Sequence, residues 1–244
     1  MRIVLPLLGS AAVLWAVFVA ISIWGDAKVV RMASRVVYGE PFKADDVLAV
    51  LKDVEVIEEE KWCRPAAIRA AAIIRVRHYE MTVAVGERDL IEARLEAARS
   101  ALDKALRCVP TDSFLWLSKY WLAAATEGFR SDLVPFLAMS YQTGPNEGWI
   151  AAKRARLAIG VYLLLTAELQ RKVVQDFYHL VRDGLWTDAT AVLVGPGWSS
   201  REVLLGSLRD LPESTRYRFA KIARAQNRLV AVPGVNLPAP RPWN

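Results

Sequence analysis

The chain has 244 residues, of which 54% are hydrophobic and 24% charged, and its formal net charge is +6. This composition excludes a disordered protein, and the length is sufficient for an N-terminal anchor plus one domain of about 150–200 residues. The positive excess lies between Arg201 and Arg228, where seven residues are basic and three are acidic. Such a region is typical of a solvated helix face, or of a surface for anionic lipid, polysaccharide or nucleic acid.

The N-terminal segment carries the strongest single pattern. Residues 3–24 read IVLPLLGSAAVLWAVFVAISIW, which is 22 residues without a charge. About 20 apolar residues span a bilayer as a helix, and Trp24 stands where an interfacial aromatic residue is expected. A signal peptide cleaved near Gly25 is the alternative, but the apolar core of such peptides usually runs about 7–15 residues. The pattern therefore predicts a transmembrane anchor at residues 1–27.

The rest of the chain is predicted to be mostly helical. Residues 28–61 are predicted to form a connector with a short helix from Ala44, and a helical domain is predicted at residues 62–230, because apolar residues recur there at helical spacing. Within that domain, helices are predicted at residues 65–83, 89–109, 113–129, 131–143, 147–166, 168–182 and 213–229, with a further one opened by a capping box at Ser199 and Glu202. Residues 231–244 form a Pro-rich tail that we expect to be extended. No segment alternates for long enough to require a sheet, so the predicted fold class is all-α.

The two cysteines are predicted to be paired. Cys63 lies 23 residues before Gly86 and Cys108 lies 22 residues after it, and Gly86 is the predicted turn between two antiparallel helices. Residues equally far from such a turn lie at the same level, so the Cα atoms can approach the roughly 4.4–6.8 Å that a disulfide needs. The alternative is a pair of buried free thiols.

Two features of the sequence give opposite predictions for the side of the membrane on which the C-terminal domain lies. A disulfide places the domain outside the cytoplasm. Lys28, Arg31 and Arg35 follow the anchor, and the positive-inside rule would keep them in the cytoplasm. From the disulfide we predict a single-pass inner-membrane protein with its C-terminal domain in the periplasm.

A repeat near 34 residues follows the hairpin. Pro110 and Pro145 are 35 residues apart, and Trp116 and Trp149 are 33 apart. Residues 98–169 resemble the tetratricopeptide repeat, in which helix pairs stack into a curved array. The positions that match are Ala98, Leu102, Ala105, Pro110, Trp116 and Phe136, and those that depart from the pattern are Lys119, Tyr120 and Asp132. The resemblance implies tetratricopeptide-like antiparallel helix pairs that hold partner proteins.

A second resemblance rests on two short stretches. WCRPAAIRAAAIIR at residues 62–75 and LRCVPTDSFLWLSKYW at residues 106–121 are similar to small anchored helical proteins that accompany surface-polysaccharide polymerisation in bacteria. This resemblance implies an accessory to exopolysaccharide or O-antigen polymerisation or export. The implied partner is a membrane protein, either the polysaccharide polymerase or a component of the export machinery.

The sequence contains no recognisable catalytic or metal-binding motif. It has neither CxxC nor HExxH spacing and no phosphate-binding glycine loop, and its two histidines, His78 and His179, do not neighbour the cysteines. Asp176 lies three residues before His179 and can reach it with a hydrogen bond on a helix. We therefore expect no enzyme activity, no cofactor, no bound metal and no nucleic-acid partner.

An anionic polysaccharide is the alternative ligand that the composition allows. Nine tryptophans suggest stacking on sugar rings, and Tyr120 and Trp121 are the candidate aromatic residues. Lys221, Arg224 and Arg228 recur at helical spacing and form a candidate basic face. The competing interpretations are core packing for the two rings and a solvated helix face for the three cations.

Overall fold

The computed structural model describes residues 4–226 and 230–238, without the side chains of residues 4–7, 11 and 18–24. Every regular element within these residues is helical, which confirms the all-α prediction. The chain divides into two compact units, Met1–Leu122 and Ala123–Asn244, and the boundary falls inside a helix.

The first unit is built around one buried helix. Its helices are α1 Val4–Tyr38, α2 Ala44–Leu48, α3 Leu51–Glu59, α4 Pro65–Val85, α5 Arg88–Cys108 and the first part of α6 Ser113–Glu127. Helix α4 packs against α1, α2, α3 and α5. Its residues Ala70, Ala71 and Ala72 are buried, and side chains this small let neighbouring helices approach closely.

Helix α1 is continuous through the end of the predicted anchor. Its second half is part of the first unit, because Val29, Met32, Ala33 and Val37 are buried. Met1–Ile3 and the Trp24 side chain, on which the anchor prediction partly rests, lie outside the described residues.

The structure corrects the predicted localisation. Within the described residues, no helix combines the length and the apolar character needed to cross a membrane. The prediction of a single-pass inner-membrane protein with a periplasmic domain is therefore wrong on this finding. The apolar N-terminal stretch is instead the beginning of a longer helix whose remainder packs within the folded unit.

Helices α4 and α5 form the predicted hairpin, closed at both ends. Gly86 ends α4 with φ +82°, a left-handed conformation that glycine adopts without strain, and its N–H donates to the carbonyls of Thr82 and Val83. At the open end Cys63 and Cys108 are disulfide-bonded, with their Cα atoms 5.6 Å apart. The predicted disulfide is confirmed.

Substituting Gly86 by alanine is expected to lower the free energy of unfolding by about 1 kcal/mol, because a side chain disfavours the left-handed backbone. Gly25→Ala is the matched control: Gly25 lies inside α1, nothing lies within 4 Å of a Cβ added there, and alanine is the better helix former. Urea unfolding measures both variants. Equal changes in the free energy of unfolding for the two substitutions would show that the left-handed conformation of Gly86 does not affect stability.

The second unit is arranged around α9. Its helices are α7 Val134–Thr143, α8 Gly148–Ile159, α9 Ala167–Arg182, α10 Trp186–Val194, α11 Arg201–Gly206 and α12 Glu213–Ala225, with 3-10 turns at Ser131–Leu133, Tyr162–Leu164, Trp198–Ser200 and Ser207–Asp210. Helix α9 contacts α8, α10, α11 and α12. Phe177 of α9 and Phe219 of α12 are fully buried and meet edge to face, with ring centroids 5.9 Å apart.

Several helix boundaries differ from the prediction. Helices α3 and α10 have nine residues each and were not predicted, and the predicted helix at 147–166 ends at Ile159. The capping box at Ser199 is wrong, because the residue that caps α11 is Ser200 and its side chain makes no capping hydrogen bond. Short helices carry too few turns for a clear periodic pattern, so tertiary packing determines where they begin and end.

Candidate functional site

The five predicted binding residues fall into two groups. Tyr120 and Trp121 belong to the first unit, whereas Lys221 and Arg224 belong to the second. Arg228 lies outside the described residues.

The aromatic candidates differ in exposure. Tyr120 is only 2% exposed, and burial raises the pKa of its phenol above the ordinary value. Trp121 is half-buried, and Trp116, one turn earlier, donates from its indole Nε1 to the Pro110 carbonyl over 2.8 Å. Because the Tyr120 ring has almost no accessible surface, Trp121 is the one of the two predicted rings that offers an aromatic surface for a ligand.

The basic face of α12 is partly covered by the chain's own tail. Arg224 Nη1 donates to the Pro238 carbonyl over 2.6 Å, and Arg216 Nη1 donates to the Pro233 carbonyl. Val232, next to Pro233 in the tail, is buried. Arg224 therefore binds the Pro-rich segment, while Lys221 remains exposed.

Replacing Arg224 by glutamine is expected to loosen the tail, because a charged donor to a backbone carbonyl is lost. Lys221→Gln removes an exposed charge from the same helix and serves as the control. Amide hydrogen exchange at Val235, whose N–H donates to the Val232 carbonyl over 3.1 Å, measures the effect. Exchange should be faster in Arg224→Gln only; unchanged exchange would mean that Arg224 does not hold the segment.

The second unit also contains a cavity of about 350 Å³ that the sequence did not predict. It lies between the turn at Trp198–Ser200, helix α11, the turn at Ser207–Asp210 and the tail, and its walls include Trp198, Arg201, Glu202, Leu205, Arg209 and Pro233. The two arginines and the indole come from a part of the chain where the sequence showed only a general basic excess.

One guanidinium in this cavity is held in a fixed orientation. Arg201 Nη1 donates to the Trp198 carbonyl over 3.0 Å, and its Cζ lies 5.0 Å from the centroid of the Trp198 ring. Arg209 and Glu202 are exposed at the rim. Within the described part of the chain, neither arginine forms an ion pair.

A buried ion pair lies at the centre of the second unit. Arg154 is 0% exposed and forms a double hydrogen bond with Asp176, at 2.9 Å from Nε and 3.0 Å from Nη2. Its Nη1 donates to the carbonyls of Ser140 and Gly144, which lie at the C-terminal end of α7. The Tyr141 ring covers the guanidinium, with Cζ 3.9 Å from its centroid.

Burial dominates the electrostatics of this cluster. It raises the pKa of the Asp176 carboxyl above its ordinary value, against the opposing effect of the Arg154 hydrogen bonds. Burial also raises the pKa of the Tyr141 phenol well above its usual range. Because Arg154 joins α7, α8 and α9 and satisfies two helix-terminal carbonyls, we assign it a structural role.

The structure does not bring His179 together with its predicted partner. Asp176 bonds to Arg154 and not to His179, its predicted partner. Burial lowers the pKa of His78, and the nearby charges of Arg94 and Arg75 lower it further. In the described ranges, no three His, Cys, Asp or Glu residues are close enough together to hold a metal ion.

Comparisons of the chain with protein-family models, with curated proteins and with solved structures found no match. The resemblances to the tetratricopeptide repeat and to polysaccharide-polymerisation proteins therefore remain predictions.

Proposed function

We propose that the protein is a helical interaction module and that its partner encloses the first half of α1. One observation carries this proposal: five large apolar side chains in the described part of the start of α1 are exposed. The exposed side chains are Leu8 (64%), Val13 (63%), Leu14 (70%), Trp15 (69%) and Val17 (51%). Soluble proteins rarely expose a continuous apolar patch unless something binds to it.

The distribution of these side chains constrains the kind of partner. At 100° per residue, Leu14, Trp15 and Val17 point in different directions around the helix axis. A flat surface would cover one side only, whereas a helix that is apolar all round is normally buried. A groove or helix bundle in another protein fits this requirement.

The class of partner comes from the resemblance of residues 62–75 and 106–121. It supports a polymerase or export component of bacterial surface-polysaccharide assembly as the protein that receives α1. Tetratricopeptide-like stacking of the later helices would offer a second surface for the same machinery.

Crosslinking followed by affinity purification from the native cells tests the proposal. The wild-type chain should retain a defined protein that Leu14→Glu loses, because a charge in a buried apolar contact is costly. Val85→Glu is the matched control, since Val85 is an equally exposed apolar residue (74%) at the hairpin turn. Equal losses from both variants, or no loss from Leu14→Glu, would contradict a contact at α1.

The alternative function is direct binding of anionic glycan. The predicted residues support it weakly, because Tyr120 is buried and Arg224 holds the tail. The arginine-lined cavity supports it better.

A further inference from the structure

We propose that the cavity lined by Trp198, Arg201 and Arg209 binds an acidic sugar unit, a pyranose that carries one carboxylate. The inference is independent of the partner contact proposed for α1, because the cavity lies in the other compact unit. Its volume of about 350 Å³ is at the small end of the roughly 300–1,000 Å³ typical of small-molecule sites.

The arginines define the charge of the ligand. Arg201 is oriented by its hydrogen bond to the Trp198 carbonyl and by the indole ring, so it loses little conformational entropy on binding. Its Nε and Nη2 hydrogens have no acceptor among the described residues. The planar guanidinium fork matches a carboxylate, to which it can donate two parallel hydrogen bonds. Arg209 adds a second positive charge at the rim.

Glu202 makes the site selective. A carboxylate on the same rim repels an ion with two or more negative charges, and it can only accept hydrogen bonds when ionised. The ligand that satisfies all three charged groups carries one negative charge together with hydroxyl donors. Phosphate supplies more charge and fewer donors, so it fits less well.

The apolar walls suit the body of a sugar ring. In the lining, the Arg201 guanidinium lies over the Trp198 ring, while Leu205 and Pro233 contribute aliphatic surface. A pyranose has C–H groups on its faces that pack against such surface, while its hydroxyls remain at the rim. The cavity therefore combines carboxylate recognition, a hydroxyl acceptor and an apolar wall.

A matched pair of ligands tests the proposal on the full chain. Methyl β-glucuronide and methyl β-glucoside share one ring and differ only in a carboxylate against a hydroxymethyl group. In NMR titrations, the glucuronide should shift the indole N–H signal of Trp198, assigned with Trp198→Phe, and should bind more weakly as salt rises. The glucoside should cause no comparable shift at the same concentration.

Two arginine variants locate the site. Arg209→Gln should weaken glucuronide binding by about tenfold, because a charge-assisted contact is lost from an exposed position that the fold does not need. Arg171→Gln removes an exposed arginine of α9, outside the cavity lining, and should leave the affinity unchanged. The proposal is overturned by equal binding of glucoside and glucuronide, by equally tight binding of inorganic phosphate, or by an unchanged affinity in Arg209→Gln.

Discussion

Cys63→Ser should lower the free energy of unfolding by about 4 kcal/mol, the largest effect that we expect from a single substitution outside the second unit. The disulfide closes a 45-residue span, and in the chain-entropy description a cross-link of that length restricts the unfolded chain by about this amount. It also joins the open end of a hairpin whose other end is fixed by Gly86, so its loss lets α4 and α5 separate at their termini.

The comparison of single and double variants makes this prediction specific. Cys63→Ser, Cys108→Ser and the double variant should unfold at the same urea concentration, since each lacks the same bond. A reducing agent should destabilise the wild-type chain to that level and leave the double variant unchanged. Additive losses in the double variant would show that the two cysteines act as separate packing residues, which was the alternative interpretation of the sequence.

Arg154→Met should lower the free energy of unfolding by about 3–5 kcal/mol, because it leaves the Asp176 carboxylate buried without its partner. The carbonyls of Ser140 and Gly144 lose a donor at the same time. Arg156→Met is the control: Arg156 is exposed on the same helix, so its loss should change stability by less than about 0.5 kcal/mol. Adding Asp176→Leu to Arg154→Met should recover part of the loss, since no buried charge then remains.

The pH dependence distinguishes a lost ion pair from lost packing. In the variant, burial raises the pKa of Asp176 with no arginine to oppose it, so the folded state binds a proton more tightly than the unfolded state. The stability of the variant then rises as the pH falls from the raised pKa of Asp176 in the folded state towards its ordinary value of 3.8. The difference in free energy of unfolding between Arg154→Met and the wild-type chain should therefore become smaller as the pH falls. A difference that stays constant with pH would mean that only packing was lost.

The hairpin could be predicted because local residues determine it. Pro65 suits the first turn of α4, Gly86 provides the left-handed turn, and Pro110 disfavours continuation of α5. Both helices have 21 residues, so counting from the turn was enough to place Cys63 beside Cys108. Where local rules determine both ends of an element, the sequence predicts even a long-range bond.

The second unit shows where this reasoning fails. Arg154 and Asp176 are 22 residues apart, and each has the appearance of an ordinary helix-surface charge in the sequence. The tail contact depends on Arg216 and Arg224 reaching carbonyls 17 and 14 residues away. The cavity depends on the same folding back of the tail, so neither its arginines nor Trp198 could be grouped before the tertiary structure was known.

The predicted localisation failed for a different reason. Hydropathy identifies an apolar stretch, but it does not show whether lipid, another protein or the chain itself covers that stretch. The described part of α1 contains both exposed residues such as Leu14 and buried residues such as Val37.

Site-specific photocrosslinking in the native cells tests the central claim most directly. A photoreactive amino acid at position 14 or 15 should form an adduct with one defined protein, because the proposed partner encloses both side chains. The same amino acid at Glu59, an exposed position at the end of α3, should not form this adduct. Adducts with that protein from positions 14 and 15 alone are the result that the interaction module predicts. Adducts with lipid only, or no adduct that separates these positions from Glu59, would contradict it.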